Sequence, residues 1–349
     1  MHPKSFLMKI TATAVLTMFA ACSTAPKEAQ LDKAKLSMFA PLPAVMESGS
    51  NPITEEKVAL GRMLYYEPRL SKGQNVSCNS CHLLDRYGVD SERTSEGHKG
   101  QRGNRNAPTV YNAGGHFVQF WDGRAPDVEA QAKGPVLNPV EMAMPSEKHV
   151  LMVIKSIPEY VAAFKKAFPE DKDAVTYDNM AKAIGAFERK LVTPSRWDKF
   201  LKGDESALTD AEKSGLSKFV EAGCSTCHTG AYVGAGTYQK LGVAKALPEV
   251  KDMGRFAVTK DEGDKLMFKV PSLRNIEKTG PYYHDGSVPA LDAAVKSMAE
   301  YQLGKTLKEE EVASIVTWLK ALTGELPADY IKAPELPKSG AKTPKPDLS

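Results

Sequence analysis

The chain has 349 residues, 42% of them hydrophobic and 26% charged, an ordinary globular composition. At about 150 residues per domain that length suggests two domains. A net charge of +3, from 46 basic and 43 acidic residues, leaves no basic footprint for nucleic acid and no strong field for steering an acidic partner.

At the N-terminus, Lys4 and Lys9 precede an apolar run from Ile10 to Ala21 that ends Phe19-Ala20-Ala21-Cys22. A dozen apolar residues cannot cross a hydrocarbon core that needs about 20, so residues 1–21 read as a secretory signal. Small residues before a cysteine form a lipoprotein-type cleavage box in which Cys22 would be acylated, although Phe19 is less usual there than Leu. Ordinary cleavage near Ala21 or Ala25 is the alternative. Loss of Lys4 and Lys9 with the signal leaves the mature chain at +1. The expected location is the periplasm, with any membrane tether confined to a lipid on Cys22. Residues 22–50 read as a linker.

Two similar halves follow. The first, 51–195, opens on a helical stretch from Thr54 and ends on an amphipathic helix with Met180, Ile184, Phe187 and Leu191 at helical spacing. The second, 196–325, opens at the capping box Thr209-x-x-Glu212. It closes on a helix expected from Thr306-x-x-Glu309, with Val312, Ile315, Val316, Leu319 and Leu322 on one face and a stop at Gly324. Pro108-Thr109-Val110-Tyr111-Asn112 is echoed by Pro271-Ser272-Leu273-Arg274-Asn275, and ten residues after each Asn comes Asp-Gly. No alternating strand pattern stands out. The Gly- and Pro-rich loops 84–126 and 229–290 are too long for bare connectors. Residues 326–349 read as a tail with no core of its own.

The four remaining cysteines fall as Cys78-Asn79-Ser80-Cys81-His82 and Cys224-Ser225-Thr226-Cys227-His228. C-x-x-C-H is the attachment pattern of c-type haem. Two thiols one turn apart reach the two vinyl groups, and the adjacent imidazole faces the iron. With this composition a chance match is expected roughly once in a thousand such chains. Two motifs use every mature thiol. Zinc would gather four ligands at one site, and a thioredoxin-like pair needs no histidine. The fold expected is mainly α, two cytochrome c-like helical domains each wrapping one covalent haem within long loops.

Each iron then needs a sixth ligand or an open face. His98, His116, His149 and His284 are the histidines available beyond His2 and the motifs. His98 stands in the polar, glycine-punctuated loop 95–103, able to reach an iron and to leave it, or simply solvated. For the second haem Met253, Met267 and Met298 are candidates, and Met298 lies just before the last helix.

From about residue 50 to 325 the chain resembles the bacterial dihaem cytochrome c peroxidase family. The resemblance is carried by Gly97-His98, by Gly103 with Arg105-Asn106-Ala107-Pro108-Thr109-Val110-Tyr111-Asn112, and by Phe120-Trp121-Asp122-Gly123-Arg124. It continues through Gln131, Asn138-Pro139-Val140-Glu141-Met142, Gly280-Pro281-Tyr282-Tyr283-His284-Asp285-Gly286, and Met298 with Gln302-Leu303-Gly304. It implies a low-potential peroxidatic first haem with His82 and a displaceable His98, and a high-potential second haem with His228 and a permanent Met298. It also implies catalytic roles for Gln131 and Glu141, and electron transfer between the haems through Trp121. Calcium would be held by the Asn106 side chain and the carbonyls of Thr279 and Pro281. The branch that modifies tryptophan in a partner protein typically has Tyr where Met298 stands, which argues against that branch. No additional haem motif precedes the first.

The implied reaction is reduction of hydrogen peroxide to water with electrons from a small periplasmic cytochrome c or cupredoxin-type donor, activated by reduction of the second haem. An acid-base group must move a proton between the peroxide oxygens, and Glu141, flanked by Val140 and Met142, suits that task. Gln131 offers both donor and acceptor to peroxide. His284 reads as structural or close to a haem propionate, and His116 and His149 have no assigned role. The family suggests a homodimer. The alternative function is a dihaem electron carrier without turnover, which would keep both irons six-coordinate and need neither Glu141 nor a mobile His98. Oxidation of an organic or protein substrate is a third.

Overall fold

Helices dominate the residues described, 1–3 and 33–349 of a computed structural model. The expected signal segment and Cys22 lie outside them. In the first half run α1 (Glu55–Tyr65), α2 (Val128–Leu137), α3 (Glu147–Lys155), α4 (Pro158–Ala167) and α5 (Tyr177–Glu188). In the second run α6 (Asp210–Ala222), α7 (Leu291–Leu303) and α8 (Glu309–Lys320). Strands β1 (Tyr238–Lys240) and β2 (Met267–Lys269) form an antiparallel pair, too short for an alternating pattern to reveal. Among the described residues no helix is long and apolar enough to cross a membrane.

Capping chemistry sets most helix starts. Thr54 Oγ1 accepts from Lys57 N–H, and Thr209 and Glu212 satisfy each other's backbone as the sequence predicts. The last helix corrects its expectation. It begins at Glu309, where the Glu311 carboxylate accepts Lys308 N–H at 3.0 Å, so Thr306 is not its cap. Leu191 likewise lies beyond the end of α5, although it is fully buried.

The halves repeat one packing unit. α1 lies against α5 and α6 against α8, and each contact requires a glycine. A Cβ on Gly61 would stand 1.9 Å from Ala183 O, and one on Gly215 would stand 2.1 Å from Ser314 O. Leu64, Phe164, Met180 and Phe187 centre the first core; Trp197, Leu216, Phe219 and Trp318 centre the second.

A pseudo-twofold relation joins them, with equivalent residues 163 apart through the middle of each half. Asn112 and Asn275 both take left-handed backbone, with φ of 63° and 61°. Both donate through Nδ2 to the single hydroxyl of Thr193, at 2.9 and 2.8 Å. Asn112 N–H bonds Leu191 O and Asn275 N–H bonds Leu322 O, so the two halves meet on one buried polar axis.

Both terminal segments pack on the helical halves, so 33–50 is more than a linker and the tail has a docking place. Phe39 is buried in the second core, 5.4 Å from the Trp197 ring, and Leu42 N–H donates to the buried Asp198 carboxylate. The C-terminal segment returns to the first half. There Tyr330 stacks on Phe187, and Arg69 donates to Pro337 O and Ser339 Oγ.

Candidate active site

The two C-x-x-C-H loops are built alike. His82 Nδ1 lies 3.3 Å from Gly88 O and His228 Nδ1 lies 3.3 Å from Val233 O. A carbonyl only accepts, so Nδ1 carries the proton and Nε2 keeps its lone pair for a metal. The Pro108 and Pro271 backbones, 163 residues apart, supply second contacts. Burial lowers both imidazoles, His228 to about 4, which keeps them neutral. Tyr65 Oη donates to His82 O and Tyr111 Oη to Leu84 O, fixing the first loop. All four cysteines are free thiols, and burial raises Cys78, Cys81 and Cys224, the last two to about 11. A redox dithiol needs the opposite shift. Among the described residues no His, Cys, Asp and Glu cluster suits a zinc ion.

One continuous, mainly apolar cavity runs between the halves and touches Cys81 and His82 at one end and Cys224, Cys227 and His228 at the other. Three of the four motif thiols line it, with Cys78 packed against the first core beside it, and with two neutral imidazoles and an apolar wall this fits a pair of covalent haems.

Met298 lines this cavity from α7, whereas Met253 and Met267 do not. The equivalent position 163 residues earlier, on α2, is Pro135. Gln131 lies one turn before Pro135 on the same wall. α2 stops at Leu137, and the turn after it brings in Glu141, whose Oε1 accepts from Asn138 Nδ2 at 2.7 Å. Burial raises the Glu141 carboxyl, against the pull of Arg124 and Asn138. His98 is 6% exposed but does not line the cavity. Its N–H donates to Glu141 O at 2.8 Å and Val140 O at 3.1 Å, and a Cβ on Gly97 would lie 2.1 Å from Val140 O. The loop of His98 thus packs behind the turn that carries Glu141.

Trp121 sits where the halves meet. Its indole N–H donates to Asn106 O at 2.9 Å, and its carbonyl accepts Lys269 N–H at 2.8 Å. Asn106 N–H in turn donates to His284 O, the pseudo-twofold counterpart of that second bond. Asn106 Nδ2 donates to Glu92 O at 3.0 Å, and among the described residues its Oδ1 accepts no hydrogen bond. Asn106, Thr279 and Pro281 all border the cavity.

A profile of the di-haem cytochrome c peroxidase family matches residues 55–206. The cytochrome c551 peroxidase of Pseudomonas aeruginosa is 45% identical over 317 residues, 89% of this chain and 90% of its own. The chain belongs to the di-haem cytochrome c peroxidase family. The cytochrome c551 peroxidase of Nitrosomonas europaea is 48% identical over 297 residues, 84% of this chain and 87% of its own. Among solved structures, a MauG-like protein associated with microbial copper homeostasis superposes with a TM-score of 0.74 at 29% identity, over 84% of this chain and 97% of that one. The chain is accordingly a cytochrome-c peroxidase with two haem c groups, on a mainly helical fold.

Two residues of this peroxidase's cavity, Glu188 and Lys269, are not singled out by the sequence, and His116 is named there without a role. Glu188, at the end of α5, is 4% exposed, and burial pushes its carboxyl up to about 8. Lys269 and His116 face each other, with Lys269 Nζ 3.4 Å from His116 Nδ1. His149 lies on α3 away from the cavity. The duplication was the available signal, because Lys269 is the counterpart of Asn106.

Proposed function

We propose that this peroxidase reduces hydrogen peroxide to two waters, using electrons that a small periplasmic cytochrome c or cupredoxin-type protein delivers to the second haem. One observation carries the reading: equivalent helices hold Pro135 in the first half and Met298 in the second. A thioether can serve the second iron as a permanent ligand, whereas a pyrrolidine ring has no donor atom. The wall beside Pro135 therefore has room for peroxide, with Gln131 and Glu141 bordering it.

Bound haem supplies the redox chemistry at the first site. The Gln131 amide donates one hydrogen bond to peroxide and accepts another, which orients it. The Glu141 carboxylate takes the proton from the near oxygen and returns it to the far one, which departs as water. Burial raises the pKa of this carboxyl, which favours the proton-accepting half of that exchange. Two protons and two electrons complete the second water. Trp121, tied by backbone bonds to both halves, is the route between the haems.

His98 is the displaceable ligand of the first haem in this reading. Its loop would alternate between a closed position and the position behind Glu141, an opening that reduction of the haem held by Met298 would favour across the interface. Asn106 Oδ1, with the Thr279 and Pro281 carbonyls, holds calcium at that interface. Residues 51–195 form the peroxidatic domain and 196–325 the electron-transfer domain. Export of the homodimer to the periplasm, with Cys22 as a lipid anchor, completes the assignment.

The test is Glu141→Gln, assayed for peroxide turnover with a reduced cytochrome donor. Turnover is expected to fall about 10²-fold with haem content and both potentials unchanged. Wild-type turnover in the variant removes Glu141 from the mechanism, and a wild type inert with every donor favours a plain electron carrier.

A further inference from the structure

Lys269 breaks a rule that the buried arginines obey. The well-buried arginines all have carboxylates: Arg69 with Glu67, Arg105 with Asp122 and Asp252, Arg189 with Glu129, and Arg274 with Asp198. Lys269 is 5% exposed and has none among the described residues. Among those residues its ammonium reaches only Val118 O at 3.3 Å and His116 Nδ1 at 3.4 Å. An ammonium held out of water without a counter-charge is costly, and burial alone lowers its pKa to about 8.

His116 explains the orientation but not the charge. With Nδ1 accepting from Lys269, its proton lies on Nε2, which is buried without a hydrogen-bond partner beside the Tyr232 ring. His116 is therefore a neutral acceptor that holds the ammonium in place. The missing anion must come from whatever fills the cavity, which both residues line. Haem brings two propionate carboxylates. Lys269 also lies two residues before Pro271, whose backbone contacts His228, so it belongs to the wall of the second haem.

We infer that Lys269, oriented by His116, binds a propionate carboxylate of the second haem and thereby helps hold that haem at high potential. This rests on the reading that the cavity holds both haems. A fixed positive charge beside the ring favours the reduced, less positive iron. The pseudo-twofold adds a parallel. At the equivalent point of the first half stands Asn106, the proposed calcium ligand, so each half gains a cation there by different means.

The experiment compares the matured wild type with Lys269→Met and Lys269→Arg. It uses haem counting, redox titration of each haem, and resonance Raman of the propionate bending mode with and without deuterium exchange. Lys269→Met is expected to keep two haems, lower the potential of the Met298-ligated haem, and shift its propionate band. Lys269→Arg should restore most of the potential. An unchanged second-haem potential in a fully loaded Lys269→Met protein overturns the inference, as does a shift confined to the first haem. Should Lys269→Met fail to mature, wild-type Raman decides. A deuterium-sensitive propionate band on the second haem supports the contact, and an insensitive one overturns it. Loss of the haems themselves from the wild type would instead indict the cavity reading.

Discussion

The two halves of the molecule share a frame and differ at its walls. Each places an imidazole with Nδ1 on a carbonyl, a left-handed asparagine on the Thr193 axis, and a glycine where paired helices touch. At matching points the first half then has Pro135 against Met298, Gln131 against Ala294, and Glu188 against Leu319. The last pair follows from the two asparagines, whose backbone bonds make Leu191 equivalent to Leu322. The first-half wall thus carries a carboxyl and has no side-chain donor atom at the helix position where the second half has a thioether. In the proposed function those few wall residues set whether a haem reacts or conducts.

The difference at Glu188 gives the larger of two effects on stability. Its folded pKa is raised to about 8, so between about pH 4.5 and 8 the native state binds more protons than the unfolded chain. Stability contributed by the neutral acid is present below that window and is lost as pH rises through it. At about 1.4 kcal/mol per unit, the change amounts to a few kcal/mol. Glu188→Leu, which copies the second half, should flatten this slope in urea unfolding measured from pH 5 to 8.5. An unchanged slope would mean that Glu188 ionises normally and that the two walls differ less than their residues do.

The shared axis gives the smaller effect. Asn112→Ala and Asn275→Ala each remove a bond to Thr193 and one to a backbone N–H, Thr193 for the first and Gly324 for the second. Each should cost about 1–3 kcal/mol, the usual penalty for unsatisfied buried groups, and the two costs should be similar. A large cost for one and none for the other, by chemical denaturation of the holoprotein, would break the pseudo-symmetry as an energetic statement.

What could be read from sequence follows the same division. Covalent attachment needs two thiols and an imidazole in a fixed local order, so Cys78, Cys81, His82 and their second-half counterparts announce themselves. The caps at Thr54 and Thr209 are equally local. That Met298 lines the cavity while Met253 and Met267 do not is a non-local fact, which spacing alone leaves open. Phe39 and Tyr330 fall in segments that read as a linker and a tail because their partners, Trp197 and Phe187, lie more than a hundred residues away. Lys269 was silent because a lysine in a three-residue strand looks solvated until its missing carboxylate is noticed.

The contrast between Pro135 and Met298 is tested most directly by Pro135→Met, which gives the first half the thioether of the second. The measurement is electron paramagnetic resonance of the half-reduced protein, paired with peroxide turnover. The first haem should become six-coordinate and low-spin, and turnover should fall by at least about tenfold, in line with the loss of an open iron position. A first haem that stays open and turns over peroxide at the wild-type rate would contradict the assignment of reactivity to that wall.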